Sequence, residues 1–451
     1  MTTNNTQPAR GTRDFLPDEL RRRDHVVRIV RRVYERYGFE PLETPAFENI
    51  ETLLGKYGDE GNKLIFKILR RGEHESSGEA DLALRYDLTV PLARVVAQYQ
   101  AQLPRLFKRY QIQPVWRADR PARGRFREFY QCDVDAVGST SPVVEAEILA
   151  AVSEVLVELG FDDFVIRLNH REALTALLEC AGVPANLHGE ALVALDKLDK
   201  IGHEGVEREL AARGVDAAAT MACLNFFSGL TRADPRPHGP IERLRDFVQS
   251  HREGPRAVSV LEEIVHLSDG TPAHGRIRID PSLARGLSYY TGAIMEIAVP
   301  DLAGSLGGGG RYDNLIGMFL GRAVPACGFS LGLERIIVVM TERRMFPDGL
   351  ASGAVDVMVA LWSEPSRADA VALGAELRRA GLRADVYPDA ERLGRQFKYA
   401  SGRSVPFVAV VGDDERERNE VAIKDLRTGE QTAVARDAAA AFVKARLAGN
   451  G

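Results

Sequence analysis

Apolar residues first fall into a regular pattern between Pro17 and Tyr37, where Leu20, Val27, Val30, Tyr34 and Tyr37 recur at helical spacing among many arginines. Pro17 suits a first helical turn, Asp18 and Glu19 complement its positive end, and Gly38 follows as a stop. Phe39 to Pro45 then reads as an extended segment closed by a proline. Between Leu64 and Val137 the rhythm turns to strands. Phe107 to Ala118 and Phe126 to Val137 are expected to form two long antiparallel strands, joined by a loop from Asp119 to Arg125.

From Glu172 to about Ser268 the chain is rich in alanine and leucine and is expected to be mainly helical. Strand-like segments return at Arg276 to Val299, and four glycines, Gly307 to Gly310, are expected to precede a helix. The helical stretch therefore reads as an insertion (172–268) within one sheet domain (1–345). Residues 346–354, with Pro347 and two glycines, suit a linker. Beyond them strand (Val355 to Leu361), helix (Arg367 to Ala380), strand (Arg383 to Tyr387), helix (Arg392 to Ser401) and strand (Phe407 to Val411) alternate. That order predicts a small α/β domain with a partly parallel sheet over 355–451.

Composition narrows the class. The 451 residues are 45% hydrophobic and 27% charged, the balance of a globular protein of two or three domains. No apolar run is long enough to span a bilayer, and Met1 to Arg10 lacks the apolar centre of a secretory signal, so a cytoplasmic protein without a membrane segment is expected. Cys132, Cys180, Cys223 and Cys327 form no close pair, and the nine histidines show no metal-binding spacing. The net charge of −5 gives no global attraction to a polyanion, so any nucleic acid must be held by local arginine clusters.

Three places carry candidate chemistry. In the strand Arg127 to Ala136, a period of two puts Phe129, Gln131, Asp133 and Asp135 on one face. Such a face is either open to solvent or lined for a substrate. Arg117 precedes it, and Arg120, Arg123 and Arg125 crowd the turn, which suits a ligand with phosphates at one end and an amine at the other. The second place is Arg285-Gly286-Leu287-Ser288-Tyr289-Tyr290-Thr291-Gly292, where Arg285, Leu287 and Tyr289 share a face if the segment is extended. The third is Gly307 to Gly310 with Arg311-Tyr312-Asp313. It matches neither a Walker loop nor a dinucleotide fingerprint, and is expected to allow close approach of backbone to a ligand or neighbouring strand. Gly328 to Arg335 reads as a strand passing into a helix.

Arg117 with its loop and Phe129 resembles motif 2 of class II aminoacyl-tRNA synthetases. Gly-Leu-Glu-Arg ending at Arg335 resembles motif 3, and the helix leading to Pro45 resembles motif 1. The strings Arg85-Tyr86-Asp87-Leu88-Thr89, Arg125 to Asp135, Arg285-Gly286-Leu287-x-Tyr289-Tyr290 and Leu195 to Gly202 are similar to histidyl-tRNA synthetases, nearer the archaeal and eukaryotic branch. Leu393 to Gly412 resembles that family's anticodon-binding domain. The family usually has aspartate at the position of Ser288.

The resemblance implies an α/β (α+β) fold: an antiparallel class II catalytic domain with a helical insertion, and a C-terminal α/β anticodon-binding domain. It implies ATP, L-histidine and tRNA(His) as substrates, Mg2+ accompanying ATP, and a homodimer. Asp87, Leu88, Thr89 and Gln131 would then hold the α-amino group, and Asp135, Tyr289 and Tyr290 would read the imidazole. Arg117 and Arg285 would be catalytic, with Arg117, Asp119, Arg125, Phe129 and Arg335 on ATP and no metal held by side chains. Two neighbouring readings share these motifs: an adenylate-forming paralogue with another acceptor, and a regulatory subunit of histidine biosynthesis. The arginines at 117, 285 and 335 and the presence of 355–451 set the regulatory subunit apart, and Ser288 is the only support for the paralogue.

Overall fold

The computed structural model describes residues 6–70, 72, 78–228, 239–284, 289–347, 350 and 354–449. It divides into two compact units, Met1–Met345 and Phe346–Gly451.

Among the described residues the first unit has eleven strands: β1 (Glu40–Pro41), β2 (Phe47–Asn49), β3 (Lys67–Leu69), β4 (Ala80–Leu84), β5 (Phe107–Trp116), β6 (Glu128–Val137), β7 (Val165–His170), β8 (Ile277–Ile279), β9 (Ala293–Ala298), β10 (Ser305–Arg311) and β11 (Ala326–Gly332). Eight of them form one sheet in the order β1-β5-β6-β11-β10-β9-β7-β8. The interior pairs are antiparallel, and only the two edge pairs, β1 with β5 and β7 with β8, are parallel. The expected antiparallel β5–β6 pair is present, with Phe107 opposite Val137 and Trp116 opposite Glu128. Strands β2, β4 and β3 make a small second sheet.

Register gives the main sheet two unlike faces. Cys132, Val134, Cys327, Phe329, Leu331, Met295 and Ile297 alternate onto the apolar face and are buried. Helix α1 (Pro17–Arg36) lies over that side, its Tyr34 hydroxyl donating to the Cys132 carbonyl at 3.3 Å. Its start is built as the sequence implies, with Pro17 in the first turn and Glu19 accepting from the Leu16 amide at 3.1 Å. The buried stripe is Val26, Ile29, Val30, Val33 and Tyr34, rotated from the expected one. Leu20 is 40% exposed.

Two further expectations change. Residues 64–137 are not all strand, since Thr89–Gln98 is a helix with Val90, Leu92, Ala93, Val95 and Val96 buried. The glycines 307–310 do not precede a helix but sit inside β10. Their lack of side chains lets β10 pack between β9 and β11, and the same need recurs opposite Asp135, where a Cβ on Gly328 would fall 1.8 Å from the Asp135 Oδ1.

The described residues between β7 and β8 are mainly helical, from Arg171–Cys180 to Gly254–Leu267. The second unit holds β12 (Val357–Ala360), β13 (Ala384–Val386), β14 (Phe407–Val410), β15 (Glu420–Asp425) and β16 (Gln431–Ala435), ordered β13-β12-β14-β15-β16. The first three are parallel and the last two antiparallel, a partly parallel sheet as the alternation predicted. Strands β12 and β14 are buried on both faces, which explains their unbroken apolar runs.

Gly328→Ala must displace either the Asp135 carboxylate or the β6 backbone, and is expected to destabilise the first unit by about 1–3 kcal/mol. Urea unfolding followed by Trp116 fluorescence, in a Trp362→Phe background, measures this; an unchanged midpoint would contradict the close approach.

Candidate active site

The polar face of the main sheet is laid down by three strands in register. Arg109, Gln111 and Gln113 of β5 stand opposite Asp135, Asp133 and Gln131 of β6, which in turn face Gly328, Ser330 and Gly332 of β11. Beyond them Gly310 and Gly308 continue the row, and the Tyr290 ring stands over Gly310 where a side chain would otherwise be.

Arg109 is wholly buried and anchors this face. Its Nη2 lies 2.8 Å from Asp135 Oδ2 and 3.8 Å from Asp133 Oδ2, and also donates to the Leu88 carbonyl at 3.2 Å. Its Nη1 donates to Gln111 Oε1 at 3.1 Å. The Tyr312 hydroxyl closes a short hydrogen bond onto Asp135 Oδ1. Burial pushes the Asp135 carboxyl above the usual carboxylate range, against the pull of Arg109. Burial likewise pushes Asp133 up to about 7, opposed by Arg109 and reinforced by Asp135.

The turn after β4 brings a third acid to the same region. Asp87 is fully buried and accepts from the Val90 amide at 3.0 Å, the Tyr57 hydroxyl at 3.0 Å and the Tyr289 hydroxyl at 3.1 Å. Its carboxyl is raised by burial, although the Val90 amide and the Arg117 charge pull it down. Thr89 starts the following helix, and its side chain hydrogen-bonds to Tyr289. Tyr289 and Tyr290 do not alternate as an extended segment would have them. Both rings turn into one cluster, 5.1 Å apart, because residues 289–292 lie outside any strand.

Next to this pocket a cavity of about 1550 Å³ opens, walled by Arg117, Asp119, Arg125, Phe129, Ser330 and Arg335 among others. The Arg117 guanidinium stacks 4.3 Å above the Tyr86 ring and 5.2 Å from that of Phe129, and its Nε donates to the Tyr86 carbonyl. Arg125 reaches back to Asp119 at 2.8 Å, while Arg123 leaves the turn to bond Glu342. Arg335 rises from the first turn of the helix Leu333–Glu342 and donates to the Ser305 carbonyl at 2.5 Å.

The residues read from the sequence thus fall into two adjoining groups. Asp87, Leu88, Thr89, Gln131, Asp135, Tyr289 and Tyr290 gather at the acidic pocket, and Arg117, Asp119, Arg125, Phe129 and Arg335 line the cavity. Arg285 and Ser288 lie outside the described residues. Sequence reasoning missed Arg109 and Tyr57, and gave no role to Tyr312 and Ser330 although both stand in segments it singled out. Arg109 carried a signal, since Arg109, Gln111 and Gln113 repeat on β5 the period-two polar row of β6. Tyr57 carried none, because only folding brings it beside Asp87.

Arg109→Met should leave Asp135 and Asp133 buried without their cation, costing about 3–5 kcal/mol of stability. Chemical denaturation of the variant checks this, and a loss under 1 kcal/mol would show that Arg109 does not hold the pocket together.

The histidyl-tRNA synthetase family model matches residues 11–336, and an anticodon-binding domain model matches 356–446. The chain is 41% identical to a histidine–tRNA ligase of Flavobacterium johnsoniae, over 94% of this chain and 96% of that protein. It is 40% identical to one of Gloeobacter violaceus, over 97% and 98%. Among solved structures it is similar to a histidyl-tRNA synthetase from Nostoc, with a TM-score of 0.82 and 31% identity, covering 98% of this chain and all of the other. The acidic pocket beside an arginine-lined cavity, on an antiparallel sheet matched from residue 11 to 336, places the chain in the histidyl-tRNA synthetase family.

Proposed function

We propose that this chain is a histidine–tRNA ligase, which activates L-histidine with ATP and passes the histidyl group to tRNA(His). The observation that carries this reading is the adjacency of two unlike binding regions on one sheet face. One is acidic and enclosed, suited to an ammonium and an imidazole. The other is large and lined by arginines, suited to a nucleoside triphosphate.

A carboxylate oxygen of histidine attacks the α-phosphorus of ATP, the bond to the β-phosphate oxygen breaks, and pyrophosphate leaves with those electrons. A ribose hydroxyl at the tRNA 3′ end then attacks the carbonyl carbon of the adenylate and AMP departs. Asp87, Leu88, Thr89 and Gln131 hold the α-amino end in this reading, while Asp135, Tyr289 and Tyr290 read the ring. An imidazole with a carboxylate on one nitrogen and a hydroxyl on the other is recognised at both. Arg117 meets the α-phosphate, where charge builds in the transition state, and Phe129 stacks on adenine. Arg125 and Arg335 take the outer phosphates, with Asp119 orienting Arg125. Arg285 is assigned to the α-phosphate by the family resemblance alone.

Magnesium enters with ATP as part of the substrate, held through phosphates and waters. The carboxylates Asp119, Asp280 and Glu296 at the cavity each pair with an arginine, a donor set that suits phosphate-borne metal better than a protein cage. Residues 172–268 form a helical insertion in the catalytic domain 1–345, and 355–451 bind the anticodon. The active form is a cytoplasmic homodimer. The run Gln131-Cys132-Asp133-Val134-Asp135 supports a place near the archaeal and eukaryotic branch, although the relatives named above are bacterial.

Charging of total tRNA with radiolabelled histidine tests the whole reading, and incorporation of another amino acid in its place would sink it. Asp135→Asn keeps the volume beside Arg109 and should raise KM for histidine roughly 10- to 100-fold, with KM for ATP nearly unchanged. Arg117→Ala should instead lower kcat by about 100-fold or more with a smaller change in KM for histidine, since its contact strengthens in the transition state. Steady-state pyrophosphate exchange separates the two signatures. Removal of 355–451 should spare most histidine-dependent exchange and abolish most charging; equal loss of both in a folded truncation would refute the division of labour.

A further inference from the structure

On β6 the side chains of Gln131, Asp133 and Asp135 share one face, but their oxygens are not equally engaged. Asp135 accepts from Tyr312 at Oδ1 and is ion-paired with Arg109 at Oδ2, which has no hydrogen-bond partner. Gln131 Oε1 and Asp133 Oδ1 are both buried and have no hydrogen-bond partner. Arg109 comes within 2.8 Å of Asp135 but only 3.8 Å of Asp133, too far for a hydrogen bond.

Ser330, directly opposite Asp133 on β11, orients both groups. Its hydroxyl hydrogen-bonds to Asp133, and Gln131 Nε2 donates to the same oxygen at 2.7 Å. A hydroxyl has one hydrogen, and here the acid takes it, so Ser330 can only accept from the amide. The amide nitrogen is thereby turned toward Ser330 and its carbonyl oxygen away, toward the pocket. Ser330 also lines the cavity, so the two free acceptors sit at its margin.

The pocket is acidic but its charge is met: of the three buried acids, Arg109 acts on Asp133 and Asp135, Arg117 on Asp87 and Arg85 on Asp133. A ligand that supplies N–H donors meets the two unpaired acceptors, whereas a carboxylate or phosphate would set another acceptor against them. We propose that Asp133 is a specificity-determining residue which, with the Gln131 carbonyl oxygen, accepts hydrogen bonds from the α-ammonium of the amino-acid substrate. The assignment rests on the histidine reading above. The elevated Asp133 carboxyl, about 7, fits a group that becomes fully ionised when a cation arrives beside it.

The test is calorimetric binding to the full-length chain of two histidine analogues, each lacking one end. Histidinol keeps the ammonium and ring without the carboxylate, and imidazolepropionate keeps the carboxylate and ring without the ammonium. Asp133→Asn should weaken histidinol about tenfold or more and leave imidazolepropionate within about twofold. Ser330→Ala, which frees the Gln131 amide to turn over, should show the same selectivity and carries the comparison if Asp133→Asn does not fold. Equal losses for both analogues, or unchanged histidinol binding, would overturn the role of Asp133. Wild-type chain that binds neither histidine nor its analogues would overturn the histidine reading, and this inference with it.

Discussion

One buried guanidinium organises the polar half of this sheet. Arg109 stands on β5, yet its hydrogen bonds and ion pairs reach the Leu88 carbonyl in the turn after β4 and both acids of β6. A cation removed from water persists only where its donors are met, so the positions of Asp87, Asp133 and Asp135 depend on one another through it. Asp135 in turn holds Tyr312, which follows β10, and its carboxylate occupies the space that Gly328 leaves open. The acids, the tyrosine and the glycine form a single packed unit rather than separate motifs.

A comparable arrangement ties the chain segment before β2 to the same region. Arg85 is almost wholly buried and donates to the carbonyls of Thr44, Pro45 and Pro114 and to Gln113 Oε1. Burial lowers its pKa to about 10, still well above neutrality, so the group remains a cation. Two residues later Asp87 points into the pocket. One short turn therefore fixes a cation among backbone carbonyls on one side and an anion among hydroxyls on the other.

Much of this was legible before folding. The period-two acids of β6, the arginine-rich turn and the strand-to-helix passage ending in Arg335 all follow from spacing and residue type, and the antiparallel domain followed from the resemblance those strings carry. What was not legible depends on three-dimensional closure. Tyr57 meets Asp87 across 30 positions of sequence, and Tyr312 meets Asp135 across 177. The glycine run was read correctly as close backbone approach and wrongly as a helix entrance, because a strand stripped of side chains has no hydrophobic period to reveal it. Strands β15 and β16 escaped notice for a related reason: β16 alternates between exposed and half-buried positions and presents no apolar run.

The unlike faces of the sheet also govern how this sequence can drift. On the apolar side, Val134, Phe329 and Met295 are buried hydrocarbon, so exchanges that conserve volume cost little. On the other side, a Cβ at 310 would meet the Ala293 carbonyl oxygen at 2.5 Å, and one at 328 collides with a carboxylate. Tolerance to random substitution along β11 should therefore rise and fall with every second residue, whereas on β10 the rhythm is lost, since a Cβ at 307 or 309 on the apolar side would meet the β11 backbone at 2.4 or 2.1 Å. A saturation library of this chain would record the pleat of β11 as a two-residue rhythm of permitted and forbidden positions.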